Sequence, residues 1–140
     1  MIETTVRYLG AVQFEAEARG HKVICDQPES NRGSDQGMTP LEFLLVSIGT
    51  CAGFYAQEYL NCNQLPSAGL EVKVSAAKVK PPARLDQFKI EIQLPADLDP
   101  HHKEGVIKSV QKCVIHNTLM NPPSIETVIK VPTPATGAAV

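Results

Sequence analysis

The sequence predicts an α+β fold with the element order βββ-α-ββ-α-β, a prediction carried by three observations. Short segments in which apolar and polar residues alternate occur first in a group of three and later in a pair, as is typical of antiparallel strands. Two longer segments with helical spacing of apolar residues separate these groups. Strands and helices thus do not alternate one by one, which argues against a doubly wound parallel sheet. With 140 residues, we expect a single domain over residues 1–131 followed by a C-terminal tail over residues 132–140.

The first group of strands is predicted over three short segments: Thr4–Leu9, Ala11–Ala18 and His21–Cys25. Glycines separate them, and within the second segment the apolar residues alternate with glutamine and glutamates, which predicts a half-buried antiparallel strand. A polar loop with two glycines follows, from residue 28 to residue 38.

The first helix has a clear start signal in the sequence. Thr39 is a suitable N-cap, Pro40 suits the first helical position, and Glu42 falls at the third position, which completes a capping box. From Phe43 to Ala56 the segment is uncharged and apolar on nearly all faces, so we expect it to be covered all round. A domain of this size cannot readily cover such a helix alone, so we predict a homodimer.

The second half of the chain repeats the alternation of a strand group and a helix. Two strands are predicted after Pro66, joined by a loop at Pro81-Pro82. Asp99 is the predicted N-cap of a second helix that ends at Asn121-Pro122-Pro123. A last strand is predicted over Ile125–Val131.

Composition argues against several functional classes. The net charge is −2, aromatic residues make up 5% of the chain and Trp is absent, so we expect no nucleic-acid partner. The uncharged helix is shorter than the roughly 20 residues that span a bilayer, and the N-terminus lacks the features of a signal peptide. We therefore predict a cytoplasmic protein with no membrane partner, in which the cysteines are normally reduced.

Metal and cofactor sites are not expected from the sequence. There is no Cys-x-x-Cys motif among the four cysteines, which argues against a zinc ribbon and a thioredoxin-type site. His116 lies one helical turn after Cys113, but His101 and His102 fall at the other end of the predicted helix, so a full ligand set is lacking. We predict Cys25 and Cys62 to be bystanders.

Cys51 and Cys113 are the strongest candidates for reactive residues, since each lies within a predicted helix. We expect Cys51 to be deep in the core and Cys113 to be in the later part of its helix, where partial negative charge disfavours a thiolate. From the residues, Cys51 is explained better as a packed apolar side chain than as half of a redox pair, whereas the two explanations are about equal for Cys113. The residues alone leave both interpretations open.

Two cysteine-containing segments resemble the OsmC family, which includes the organic hydroperoxide resistance proteins: Gly37-Met-Thr-Pro-Leu-Glu-Phe-Leu-Leu-Val-Ser-Ile-Gly-Thr-Cys51 and Cys113-Val-Ile-His-Asn-Thr-Leu119. The resemblance implies an intertwined homodimer with an OsmC-like fold, in which two antiparallel sheets flank central helices. It also implies reduction of organic hydroperoxides by a cysteine pair, which an external dithiol regenerates.

By position in these motifs, Cys51 matches the peroxidatic cysteine of the family and Cys113 the resolving cysteine. The family also uses an Arg paired with a Glu at the start of the first helix, for which Arg19 and Glu42 are the candidates here. Arg32 is a second candidate for the cation that a Cys51 thiolate requires.

A second hypothesis remains open beside this cysteine-based peroxidase. Val114 follows Cys113 where the hydroperoxide resistance branch has Pro, and Glu42 is one position later than in that branch. These departures favour a non-catalytic OsmC-like dimer that binds an apolar ligand or senses redox state. Phe43, Phe54, Leu119 and Met120 would suit either an apolar substrate pocket or ordinary core packing.

Overall fold

The computed structural model describes residues 1–134 and residue 137 and has the predicted α+β architecture. Its first unit is an antiparallel sheet in the order β1-β2-β3. The strands are β1 (Thr5–Gly10), β2 (Gln13–Ala18) and β3 (His21–Cys25). All three predicted N-terminal strands are confirmed within two residues of their predicted bounds, because alternation and the glycine turns are local signals.

This N-terminal sheet has one apolar and one charged face. Register places Tyr8 opposite Phe14, and Phe14 opposite Cys25, so their side chains share a face. The full apolar face consists of Val6, Tyr8, Phe14, Ala16, Val23 and Cys25. On the opposite face, Arg7 pairs with Glu17 at 2.8 Å and Lys22 with Glu15 at 3.2 Å. The charged face therefore favours solvent, and the apolar face favours a partner surface.

Helix α1 (Pro40–Cys62) begins as predicted. The Thr39 Oγ accepts a hydrogen bond from the Glu42 backbone N–H, and the Glu42 carboxylate accepts one from the Thr39 backbone N–H at 2.7 Å. This reciprocal pair satisfies two N–H groups that the helix would otherwise leave without partners.

The hairpin of β4 (Glu71–Val79) and β5 (Arg84–Gln93) packs against α1. Helix α2 (Pro100–Val110), capped by Asp99 as predicted, covers α1 from another side. The buried core of this unit is formed by small and branched residues of the two helices: Ala52, Ala56, Leu60, Val106 and Val110.

The predicted second helix is in fact two helices. Helix α2 ends at Val110, and α3 runs over Val114–Met120. Cys113 separates them with an extended backbone (ψ 125°) and caps α3 through its sulfur, which accepts a hydrogen bond from the His116 N–H. The prediction that Cys113 lies late in one long helix is therefore wrong.

The predicted last strand over Ile125–Val131 is also not formed. In this structure residues 121–134 have no helix or strand, and Ile125 and Ile129 are more than four-fifths exposed. A strand needs an edge to pair with, and this part of the chain pairs with neither sheet. The predicted tail, residues 132–140, falls partly outside the described residues.

The chain leaves much more surface uncovered than a monomer of its size. Its accessible surface is 10991 Å², whereas about 7,100 Å² is expected for a folded monomer of this mass. Within residues 1–134 no helix is both long and apolar enough to cross a membrane.

Candidate active site

The structure brings Cys51 and Cys113 together. Cys51 lies at the middle of α1, and Cys113 lies in the break between α2 and α3, which contacts α1. Both side chains are free thiols, and they are close enough for Cys51 to raise the pKa of Cys113. Two neighbouring thiols can condense to a disulfide once one of them is oxidised to a sulfenic acid.

The two thiols have different environments. Cys113 is 1% exposed, and burial raises its pKa, an effect that the hydrogen bond to Cys51 increases and the His116 N–H partly opposes. The Cys113 thiol thus keeps its proton at neutral pH. The pair therefore combines a buried thiol that stays protonated with a second thiol that is more exposed.

Cys51 is not deep in the core, contrary to the prediction. The buried stripe of α1 consists of Ile48, Ala52, Ala56 and Leu60. Cys51 precedes Ala52 by one residue, which rotates its side chain by about 100° from that stripe, and it is half-buried. The prediction failed because an uncharged sequence does not tell which side of the helix a single chain covers. Consequently, a small oxidant has better access to Cys51 than to Cys113.

Glu42 lies at the start of α1, two and a half turns before Cys51, or about 13 Å along the helix axis. Its carboxylate accepts hydrogen bonds from the Thr39 backbone N–H at 2.7 Å and from the Thr39 hydroxyl at 2.9 Å. The backbone N–H, followed by the hydroxyl, holds the pKa of Glu42 below its usual value. Within a single chain Glu42 is thus a capping residue, separate from the cysteine pair.

Neither candidate cation acts on Cys113 in a single chain. Arg19 is exposed in the turn between β2 and β3 with φ 52°, and Arg32 is exposed in the loop before α1 with φ 68°. Among the described residues, the groups that act on the pKa of Cys113 are Cys51 and backbone N–H groups, with no Arg or Lys. The buried member of the pair thus has no cation beside it within the described chain.

The remaining cysteines are in different surroundings. Cys25 ends β3, and burial, followed by the negative charge of Asp26, raises its pKa. Cys62 is exposed at the end of α1. Across residues 1–134 and 137, no three His, Cys, Asp or Glu side chains are close enough together to hold a metal ion.

Sequence reasoning missed Asp26, a buried acid at the end of β3. Its position directly before a polar loop, with Gly33 and Gly37 further on, is a signal that could have identified it. Carboxylates at such positions accept hydrogen bonds from loop N–H groups.

Solved structures with this fold come from several bacteria. A protein from Psychrobacter arcticus, whose name refers to osmotic stress and detoxification, is 20% identical with a TM-score of 0.77, over 84% of this chain and 88% of that one. An OsmC-like protein from Mycoplasma pneumoniae is also 20% identical, with a TM-score of 0.71 over 87% of this chain and 89% of its own. An organic hydroperoxide resistance protein from Legionella pneumophila is 13% identical, with a TM-score of 0.58 over 86% and 90% of the two chains.

At these identities the likeness shows the fold, which agrees with the element order and the two sheets described above. No curated protein sequence matches the chain. The model of the OsmC-like protein family, however, matches residues 33–128, which contain α1, α2, α3 and both members of the cysteine pair. This match extends over more than half of the sequence, and the chain therefore belongs to the OsmC family.

Proposed function

We propose that this protein is a cysteine-based peroxidase that reduces organic hydroperoxides, in defence against oxidative stress. The observation that carries the proposal is that half-buried Cys51 lies close enough to fully buried Cys113 to raise its pKa. One relative in fold is named as an organic hydroperoxide resistance protein and another as a redox protein, which supports the same class of chemistry. A cytoplasmic location fits it, because the resting enzyme needs reduced thiols.

In the proposed reaction, the Cys51 thiolate attacks the terminal oxygen of the hydroperoxide and the O–O bond breaks. The alkoxide leaves and takes a proton from water to become an alcohol, while Cys51 becomes a sulfenic acid. The Cys113 sulfur then attacks Cys51, a disulfide forms, and water leaves. An external dithiol reduces the disulfide through two exchange steps and is itself oxidised.

A homodimer is part of this proposal, because the single chain is incomplete in two respects. The apolar face of the N-terminal sheet and the exposed residues after α3 lack cover within the described chain. No Arg or Lys of the described residues acts on Cys113 either, and an opposite charge within about 4–6 Å is what favours a thiolate. A second copy would supply both, with Arg19 or Arg32 as the cation and Glu42 as a group that orients it.

The alternative is a dimer of the same fold that binds an apolar ligand or senses redox state without turnover. The specific observations in its favour are that no Arg or Lys of the described single chain acts on the pKa of Cys113 and that Val114 follows Cys113. In that case Cys51 would react with hydroperoxides no faster than an ordinary exposed thiol.

The deciding experiment treats the reduced protein with one equivalent of cumene hydroperoxide and follows intact mass and free thiols. Wild type is expected to lose two thiols and to contain a Cys51–Cys113 cross-link. The Cys51→Ser variant should not react, since it lacks the nucleophile. The Cys113→Ser variant should consume one equivalent and stop at a sulfenic acid, which a dimedone adduct detects.

Cys62→Ser is the matched control, since Cys62 is exposed on the same helix but lies outside the pair. It should behave as wild type. Four unreacted thiols in wild type after long exposure would reject the peroxidase and leave the ligand-binding or sensing dimer.

A further inference from the structure

A cavity of about 430 Å³ lies between the start of α1 and the tip of the β4–β5 hairpin. Leu41 of α1 lines it together with residues at the end of the hairpin: Lys78, Val79, Lys80, Ala83, Arg84 and Leu85. Leu41 is ten residues before Cys51 on the same helix, which is about 15 Å along the helix axis. The cavity is therefore separate from the cysteine pair.

The packing of the hairpin on α1 determines which residues reach this cavity. Gly53 lies against Val72 of β4, whose Cγ2 would be 3.6 Å from a Cβ added to the glycine. Gly49, one turn earlier, lies against Val74 with a corresponding distance of 3.2 Å. Two residues along β4 thus match about four along α1. Because side chains alternate along a strand, Lys78 shares the face of Val74 and comes level with the first turn of α1.

Lys78 is therefore a charged residue on the otherwise apolar face of the hairpin. Its partner across the hairpin is Leu85, and Leu41 of α1, which is 38% exposed, lines the same cavity. A lysine in such a position lays its stem along apolar surface and keeps its charged end in water, and Lys78 is indeed exposed. The cavity thus combines an apolar wall with a positively charged edge.

The charges around the cavity favour an anion. Arg84 is paired with Asp86 at 2.7 Å, but within residues 1–134 neither Lys78 nor Lys80 has a carboxylate at ion-pair distance. Glu42, the acid of the first turn of α1, accepts its hydrogen bonds from the N-cap residue. The nearby N-terminus of the helix adds partial positive charge. This local excess of positive charge contrasts with the net charge of −2 for the whole chain.

We propose that this cavity binds a small amphipathic carboxylate, with its apolar body against Leu41 and Leu85 and its carboxylate beside Lys78. The volume lies within the range of roughly 300–1,000 Å³ that is typical of small-molecule sites, and such sites combine an apolar lining with a few polar groups. The proposal does not involve Cys51 or Cys113, so it stands beside either function considered above.

The test is a titration of the full-length protein with octanoate, followed by NMR of ¹³C-labelled leucine and valine methyl groups. We expect saturable shifts of the Leu41, Val79 and Leu85 methyl signals, with a Kd on the order of 1 mM for a ligand of this size. Octanol has the same apolar body without the charge and should bind about tenfold more weakly. Because no hydroperoxide is present, failure of the proposed peroxidase is detected separately, as wild-type protein that leaves cumene hydroperoxide intact.

Three variants separate the roles of charge and apolar contact. Lys78→Gln removes the charge beside the carboxylate and should raise the Kd for octanoate about tenfold. Lys73→Gln is the matched control, since Lys73 is on the same strand but outside the cavity, and it should leave the Kd unchanged. Leu41→Ala shortens the apolar wall and should weaken octanoate and octanol alike, by about threefold.

Three results would overturn the proposal: no saturable shift of these methyl signals, equal Kd values for octanoate and octanol, or equal weakening by Lys78→Gln and Lys73→Gln. If octanoate does not bind, binding of the protein to phosphatidylglycerol vesicles would assign the cavity to a membrane surface. Methyl shifts that depend on protein concentration alone would assign it instead to contact with a second copy.

Discussion

The two sheets of this protein differ in what covers them. The hairpin of β4 and β5 packs against α1, and together with α2 they enclose a core in which Ala52, Ala56 and Leu60 are fully buried. The N-terminal sheet instead meets α1 at its first turn, where Pro40 and Phe43 line an apolar cavity of about 400 Å³ together with residues of the sheet. Val23 on its apolar face remains 42% exposed.

The difference separates a part of the molecule that is covered within one chain from a part whose apolar face one chain leaves uncovered. Both sheets have alternating sequences, so each is built to bury one face. The charged face of the N-terminal sheet carries the ion pairs of Arg7 and Lys22, which suit contact with water. Burial of the other face against a second copy would explain why the surface of the single chain is so large.

The largest expected effect comes from a charge on the uncovered face. Val23→Asp would bury a carboxylate without a partner in the proposed dimer, so we expect dimer dissociation to become about a thousandfold more favourable, or about 4 kcal/mol. Sedimentation velocity over a range of protein concentrations measures this change. If Val23→Asp remains as dimeric as wild type, the apolar face of the N-terminal sheet is not the surface that a second copy covers.

The control for Val23→Asp lies on the same strand. Lys22→Ser changes the neighbouring residue on the charged face and removes an exposed ion pair with Glu15. Exposed pairs contribute about 0–1 kcal/mol, so the dimer should persist. Equal weakening by both substitutions would mean that strand β3, rather than its apolar face, is what matters.

An intermediate effect, on the free energy of unfolding, is expected from a cavity in the core that α1, α2 and the β4–β5 hairpin enclose. Leu60 is fully buried between α1 and α2, and Leu60→Ala should lower the free energy of unfolding by about 3 kcal/mol, measured by urea denaturation at fixed protein concentration. The dimer dissociation constant should stay within about twofold of wild type, since the site is covered within one chain. Cys62→Ala, exposed on the same helix, should cost less than about 0.5 kcal/mol.

The sequence predicted the locally determined parts of the fold correctly and failed where an element depends on a pairing partner. The start of α1 was predicted correctly to the residue, since the signals of Thr39, Pro40 and Glu42 are local. The strand over Ile125–Val131 has the right composition, but a strand forms only where a neighbouring edge is available, and no sequence pattern specifies that edge. Local patterns thus predict elements, while their partners depend on the assembly.

The candidate site shows the same limit. The residues alone left Cys51 and Cys113 open as packed or reactive thiols, and the resemblance to the OsmC family was what paired them. The break before Cys113 went unpredicted because Gln111 and Lys112 are ordinary helix formers. In addition, the N-cap of α3 is the Cys113 sulfur, and cysteine is not among the residues that usually signal a helix start. Asp26 was missed because its donors come from Gln13 and from residues up to ten positions later in the chain, which only the folded loop brings together.

The smallest expected effect on stability concerns the capping box of α1, which lies between the N-terminal sheet and the helical core. Thr39→Ala removes one acceptor for the Glu42 N–H and one donor to its carboxylate, so it should cost about 1 kcal/mol near pH 7. Because the pKa of Glu42 is lowered from 4.5 in the folded state, its carboxylate stabilises the fold above that pH and this contribution is lost as the pH falls through the folded pKa. The difference between wild type and Thr39→Ala should therefore narrow below pH 4.5, as measured by urea denaturation at a series of pH values. Thr39→Ser keeps the hydroxyl and should match wild type within a few tenths of a kcal/mol; a difference that does not change with pH would mean that Glu42 takes no part in the cap.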